Sequence, residues 1–562
     1  MLQDDIKQFF RGDVATDEET LEKYSHDYSI FIVKPKVVLF PKDAEDVKNL
    51  VKFVNKNKDK DDSLSLTGRS AGTDMSGGPL NESIIVDFTR YMNRIIKIGP
   101  DYVRLEPGVY FRHLEKELDS RGLIYPSYPA SKHLCAIGGM VANNSGGEKT
   151  LAYGQTKKYV KEIKIIMADS EEYLLRPLSA TELQTKLKEE SFEGDIYRKL
   201  HRLIENNYAE IERARPAVSK NSAGYFLWDV WDRKTFDITK VIVGSQGTLG
   251  LITEVKLGLL PKKRFSRLAV VFTKKLEPLT ELVNTALKFK PESLEFYDDK
   301  TLGIAIRFLP DLIKTMKQGL IALAFRFLPE LWMTIKGGGL PKIILLIELT
   351  SDDKNELDNR LDTLKKEIQK LPVSPHERSP AGRQIRLIKN EKEAEKYWTV
   401  RRQSFALLHG HNPKKSTVPF IDDIIVKPEY LPEFLPKVNA ILAPHKDKLI
   451  YTIAGHAGDG NFHIIPLMDL KDPAVQALIP KISEEVYSLV KEYNGSITAE
   501  HNDGLIRTPY LKMMYSEKIL GLFEEVKKIF DPQNIFNPRK KVGGDLNYSL
   551  EHIKDRAGQH GS

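Results

Sequence analysis

The chain has 562 residues, 41% hydrophobic and 29% charged, an ordinary globular composition long enough for two to four domains and a sizeable core. Its formal charge of +7 is small for that length; it suits anionic ligands or an anionic surface but lacks the concentrated basic patch of a nucleic-acid protein. A single cysteine, Cys135, excludes a disulfide framework and any iron–sulfur cluster ligated by this chain alone. The acidic opening residues are not read as a secretory signal, and no run of about 20 apolar residues predicts a spanning helix. The expected compartment is the cytoplasm.

Residues 1–30 read as an N-terminal helical extension. Val37 to Phe40 is a predicted strand, and Asp43 is the predicted N-cap of a helix whose Val47, Leu50, Val51 and Val54 recur on one face. A strand over Ser63–Thr67 runs into the glycine-rich segment Gly68–Gly78, and another strand follows over Ile84–Phe88. This order predicts an α+β or α/β start. Ile137–Gly147 is almost wholly small residues, and Val241–Ile252 is a third glycine-rich stretch ending in a strand. Pro261-Lys-Lys-Arg264 reads as a linker, placing a domain boundary at 263/264. Residues 301–341 form an apolar insert with basic flanks (Arg307, Lys314, Lys317, Arg326, Lys336), read either as core or dimer-interface helices or as an in-plane membrane helix. Residues 546–562 are expected to be a disordered tail.

Successive backbone N–H groups of a glycine-rich loop can turn inward and bind phosphate oxygens. Segment 68–78 has that character, yet it is neither GxxxxGK[ST] nor GxGxxG, so P-loop and Rossmann readings fail. A tight turn explains one such loop as well. Removing nearly every bulky side chain over 137–147 is costly in chain entropy and makes sense where backbone lies against an extended flat ligand.

His456-Ala-Gly-Asp-Gly-Asn-Phe-His463 reads as a hairpin between strands at 450–454 and 462–465, with Asp459-Gly460 at the tip of a type I′ turn. That register sets His456 directly opposite His463, with Cβ atoms about 5 Å apart. Two such imidazoles can bind one metal ion, with Glu500 completing a His₂Glu site that keeps open positions. The plainer alternative is a glycine-rich hairpin with two polar histidines at its mouth.

Taken together, the loop Arg69–Gly78, Gly138-Gly-Met-Val-Ala-Asn-Asn-Ser-Gly-Gly147, Gly244-Ser-Gln-Gly-Thr-Leu-Gly250, His456–His463, Glu500-His501 and Phe536-Asn-Pro-Arg-Lys540 resemble the vanillyl-alcohol oxidase (PCMH-type FAD-binding) family. The likeness is strongest to its D-lactate, glycolate and D-2-hydroxyglutarate dehydrogenase branch. It implies an α+β fold: a two-subdomain PCMH-type FAD-binding domain at 31–263, then an FAD-linked oxidase C-terminal substrate domain at 264–545 with antiparallel sheet and helices. It implies FAD diphosphate binding by Arg69, Ser70, Ala71, Gly72, Thr73, Asp74 and Gly78. Thr73 stands where some relatives carry a covalently linking histidine, so the FAD is expected to be non-covalent. Pro129, Ser131, Gly138, Gly139, Ala142, Asn143, Gly146, Gly147 and Tyr153 are implied along the flavin, Gly247, Gly250 and Ile252 at the adenine side, and Asn537 near the ring.

The same resemblance implies a divalent metal (Zn, Mn or Fe) on His456, His463 and Glu500, His501 as catalytic base, and Arg401 of Trp398-Thr-Val-Arg401 on the substrate carboxylate, with Lys415 assisting. Relatives that take 2-hydroxyglutarate often have a polar residue where this chain has Ile465, which favours D-lactate or glycolate. The expected reaction is oxidation of a D-2-hydroxy acid to the 2-oxo acid. The electrons are expected to pass to a separate quinone, cytochrome, electron-transfer flavoprotein or iron–sulfur protein. The 301–341 insert leaves a homodimer contact, or a peripheral contact at the inner face of the membrane, as the further expected partner. The alternative is a non-redox FAD transferase resembling alkylglycerone-phosphate synthase, although this chain lacks that family's run of adjacent histidines.

Overall fold

The computed structural model describes residues 2–307, 340–371, 384–410 and 415–553. The expectations for the greater part of the 301–341 insert and for 554–562 therefore lie outside the described residues. Among the described residues, no helix is long and apolar enough to cross a membrane.

Asp43 caps the helix Ala44–Asn57, its carboxylate accepting from the N–H groups of Glu45 and Asp46. Val47, Leu50, Val51 and Val54 of that helix are fully buried against Val37, Leu39, Leu66, Ile84 and Val86. These last residues belong to a four-stranded sheet ordered Asp13–Ala15, Val37–Phe40, Ile84–Asp87, Leu66–Arg69. The three later strands run parallel and deliver Gly68 and Arg69 at one end. The extension at 1–30 is more than helical. Helices Leu2–Lys7 and Glu18–Tyr24 flank the strand Asp13–Ala15, which pairs antiparallel with Val37–Phe40. The strand expected at 63–67 lies instead at Leu66–Arg69.

A second, antiparallel sheet is ordered Ile95–Ile98, Tyr102–Leu105, Leu251–Gly258, Val160–Ile166, Glu172–Leu175. Its buried face and the helices Phe192–Asn206 and Glu517–Phe530 share one core. The third sheet is antiparallel and seven-stranded among the described residues: Gln384–Ile388, Phe265–Thr273, Ile343–Ser351, Ser293–Asp298, Ile453–His456, Asn461–Ile464, Ile424–Ile425. Helices Leu279–Leu287, Lys354–Lys370, Leu431–Leu442 and Leu478–Glu492 cover one face with leucine, isoleucine and valine.

Two local expectations are corrected. The hairpin closes through four residues, not two: His456 pairs with Asn461, and His463 with Ala454. Gly460 has φ +76°, whereas Asp459 is not in the left-handed region, so the tip is not a type I′ turn. A Cβ at Gly460 would sit 1.9 Å from the Val426 carbonyl oxygen; this close backbone approach fixes the loop. The register differs by two residues, which preserves the face. His456 and His463 still share a face, as diagonal neighbours. The tail is also ordered further than expected: Asp545 caps the helix Leu546–Glu551, and Ile553 bridges to Phe31.

Candidate active site

The three glycine-rich segments converge on one cavity. The first contributes Arg69, Ser70, Ala71, Gly72, Thr73, Asp74 and Gly78. The second contributes Pro129, Ser131, Gly138, Gly139, Ala142, Asn143, Gly146 and Gly147, and the third Gly247, Gly250 and Ile252. Gly247 has φ +69°, and a Cβ there would meet no protein atom within 4 Å. Backbone is thus bared to open space at the cavity wall, as the cradle of a flat cofactor requires. Hydrogen bonds tie the segments together: Asn143 Nδ2 donates to Asp74, and Gln246 Nε2 to Ser76 Oγ.

Three expected site residues do not line this cavity. Asn537 sits behind it, donating to the carbonyls of Gly78 and Gln246 and accepting from Thr67. It clamps the first and third loops together. Tyr153 donates to Glu292 at 3.2 Å. Lys415 immediately precedes the short strand Ser416–Thr417.

Arg401, His456, His463, Ile465, Glu500 and His501 line the same cavity. His456 Nε2 lies 3.1 Å from Glu500 Oε1 and 3.3 Å from His463 Nε2, and His463 Nε2 lies 3.6 Å from that oxygen. A tetrahedral ion with bonds of about 2.1 Å sets its ligand atoms roughly 3.4 Å apart. The three donor atoms already stand at that spacing. The other ring nitrogens are committed: His456 Nδ1 to Glu295 at 2.6 Å and His463 Nδ1 to the Asp422 carbonyl at 3.0 Å. Such contacts orient imidazole ligands. The residues present therefore fit a divalent ion.

Glu500 and His501 are sequence neighbours yet face one site. Asp423 explains this: its Oδ2 accepts from the N–H groups of both residues, at 2.8 and 2.7 Å, and from Thr498 Oγ1. Asn502 then turns at φ +67° and ends the segment. Asp423, His463, Glu500 and His501 also offer ligand atoms within 4.8 Å of one another. With its Oδ2 saturated and Oδ1 taken by Asn461, Asp423 shapes the segment and is a poorer ligand than His456. The adjacent Asp422 accepts from His501 Nδ1 at 2.6 Å and pairs with the fully buried Arg507.

The charges are strongly coupled. Burial opposes the charge of Glu500, but Lys220 and His456 hold it well below the usual carboxylate range. Burial and the nearby His501 hold His463 well below the usual imidazole range. For His456 burial is outweighed by Glu295, which raises it. For His501 burial is outweighed by Asp422 and Asp423, which lift it to about 9.

Asp422, Asp423, Glu295 and Lys220 were not picked out from the sequence. Ile421-Asp-Asp-Ile424 carried a signal, since adjacent carboxylates inside an apolar run must find partners when buried. Glu295 and Lys220 carried none, because their partners lie far along the chain.

A model of the FAD binding domain matches residues 35–174, and a model of the C-terminal domain of FAD linked oxidases matches residues 262–541. D-2-hydroxyglutarate dehydrogenase of Escherichia coli (strain K12) is 28% identical over 543 residues, covering 96% of this chain and 51% of that protein. Glycolate oxidase subunit GlcD of Bacillus subtilis (strain 168) is 25% identical over 520 residues, covering 91% and 90%. The chain spans about half the length of the first curated relatives it matches. Among solved structures, 4-ethylphenol oxidase from Gulosibacter chungangensis superposes with TM-score 0.65 at 15% identity, covering 95% of both chains. An alkyldihydroxyacetonephosphate synthase gives 0.63 at 16%, covering 95% of this chain and 85% of its own. At such identities the structural likeness shows the two-domain FAD-binding fold alone.

Proposed function

Because the chain is a member of the FAD-linked oxidoreductases, with an FAD binding domain followed by the FAD-linked oxidase C-terminal domain, we propose that it oxidises a D-2-hydroxy acid to the 2-oxo acid, with D-lactate or glycolate preferred. The observation that carries this reading is the single cavity where the glycine-rich cradle meets Arg401 and the His456, His463, Glu500, His501 cluster. Relatives named D-2-hydroxyglutarate dehydrogenase and glycolate oxidase subunit support the substrate class.

Arg401 receives the substrate carboxylate; its Nε and one terminal nitrogen are held by Glu295 at 3.1 Å, which fixes the guanidinium plane. A fixed, planar donor suits a carboxylate. In its neutral form, which a divalent ion held beside it would favour by opposing the imidazolium charge, His501 takes the α-hydroxyl proton at Nε2, with Nδ1 anchored on Asp422. Ile465, only 6% exposed, gives the cavity an apolar side chain at a position that offers no hydrogen bond to a second carboxylate. FAD held by the three glycine-rich loops would supply the hydride acceptor. A divalent ion held by His456, His463 and Glu500 would supply Lewis acidity toward the α-oxygen.

With Cys135 the only cysteine, these 562 residues ligate no iron–sulfur cluster by themselves, and the electrons leave the flavin for an acceptor outside them. The apolar 301–341 segment is the candidate for contact with a membrane that carries such an acceptor, and binding to anionic vesicles tests it. The reading as a whole is tested by mixing FAD-loaded protein anaerobically with D- and L-2-hydroxy acids. Flavin absorbance should bleach with D-lactate or glycolate and persist with L-lactate. A flavin that no 2-hydroxy acid bleaches overturns the proposal.

A further inference from the structure

One side of the cluster is closed by a segment from the first half of the chain. Ser219–Gly224 lies along the chain that carries Glu500: Ser222 N donates to the Thr498 carbonyl at 3.1 Å, Ser222 Oγ to the Ala499 carbonyl at 2.9 Å, and Gly224 N to Asp503 at 2.9 Å. From this segment Lys220 projects inward with a fully buried side chain. Its ammonium lies 3.1 Å from Glu500 Oε2 and 3.2 Å from Asp459 Oδ2. Asp459 belongs to the loop joining the two histidine strands, and Ser219 Oγ donates to its other oxygen at 2.8 Å.

Glu500 therefore uses its two oxygens differently. Oε1 faces the imidazoles, and Oε2 pairs with a fully buried ammonium. A buried carboxylate without a counter-charge is costly, and here Lys220 supplies that counter-charge before any ion arrives. A divalent ion on Oε1 would then share the same carboxylate with a fixed positive charge across it. Two like charges on one small anion oppose each other through a low-dielectric interior.

We propose that Lys220 is a resident cation of this site: it positions the Glu500 carboxylate in the metal-free enzyme and weakens the hold on the divalent ion that shares it. The proposal rests on the metal reading above. Lys220 is a positioning residue, acting through Glu500 and Asp459. Asp459 modulates it: with Asp459 charged, the ammonium is divided between two carboxylates, and less of its field falls on Glu500.

The test is the affinity of the FAD-loaded protein for Zn2+ alone, measured by competition with a chromophoric chelator. Lys220→Met should bind Zn2+ at least about tenfold more tightly than the wild type, and Asp459→Asn should bind it more weakly. Coupling is reciprocal, so chelation should lower the melting temperature of Lys220→Met by several degrees more than that of the wild type. Zinc affinity unchanged or weakened in Lys220→Met overturns the proposal, since a merely structural lysine loosens the site with or without the ion. Should Lys220→Met fail to fold, Asp459→Asn decides alone, and unchanged or tighter binding there overturns it. A wild type that takes up no Zn2+ sinks the metal reading and this inference together; a wild type that binds while the variants do not move sinks only the inference.

Discussion

Glu295 Oε1 lies 2.6 Å from His456 Nδ1, while its other oxygen holds Arg401 at 3.1 Å. One buried carboxylate on the strand Ser293–Asp298 thus joins the residue expected to hold the metal to the residue expected to hold the substrate. Glu295→Gln keeps the shape and removes the charge. Outer contacts of this kind are worth about 10–100-fold in metal affinity. The variant should lose zinc affinity in that range and show a raised KM for the hydroxy acid, with its FAD spectrum unchanged. Both quantities come from metal analysis after dialysis and from steady-state assays; if neither moves, the link is ornamental.

His501 should control flavin reduction. A positioned base typically contributes about 10²–10⁴-fold in rate. His501→Asn should retain FAD and metal and bind substrate with similar affinity, while stopped-flow flavin reduction slows by at least about 10²-fold. Reduction at near wild-type rate would assign the proton to another group.

The parts of the site that were legible are those written in local chemistry. Glycine runs announce bared backbone whatever surrounds them, and the three loops do meet at one cavity. Histidines on the two paired strands of one hairpin announce a shared face, and parity holds although the loop length does not. The register departs from the local signal because Asp459-Gly460 favours a two-residue turn, while the actual four-residue loop packs Gly460 against the Val426 backbone, where a side chain would not fit. Glu295, Lys220 and Asp422 were illegible for the same reason: each is an ordinary charged residue locally, given meaning by partners over 70 positions away. The order of the tail up to Ile553 depends on its bridge to Phe31, at the far end of the chain, which no local pattern announces.

Ile465 should set the size and charge of the acid. It lies two residues after His463 and lines the cavity. Ile465→Asn offers a hydrogen-bonding amide to a second carboxylate. The ratio of kcat/KM for D-2-hydroxyglutarate over D-lactate should rise by about tenfold, the scale of one hydrogen bond to a charged group. A wild type that already prefers D-2-hydroxyglutarate would reject the short-acid reading.

The FAD should be free of any covalent bond. Thr73 occupies the loop position at which a linking histidine is found in some relatives, and it lines the cavity. Acid precipitation should leave all flavin in the supernatant; yellow colour in the washed pellet would defeat this.

Lys540 should give the fold a measurable pH dependence. Its side chain is almost fully buried, with Nζ donating to the Leu80 carbonyl at 2.6 Å. Burial, helped by Arg539, lowers the group from 10.5 to about 7. Between those values the unfolded chain binds a proton that the folded chain has released. Stability therefore rises with pH through this window, by up to about 1.4 kcal/mol per unit from this group. Below about pH 7 both states are protonated, and the cost of the buried charge is constant. Methionine at position 540 removes the charge and nearly preserves the volume, leaving the Leu80 carbonyl unpaired at every pH, a fixed cost of about 1–3 kcal/mol. Thermal unfolding of FAD-loaded Lys540→Met and wild type at pH 6.5, 8 and 9.5 separates the two effects. The variant should compare best with the wild type at pH 6.5 and lose ground steadily toward pH 9.5. A difference in melting temperature that stays constant across the three would show that Lys540 keeps its charge in the folded protein.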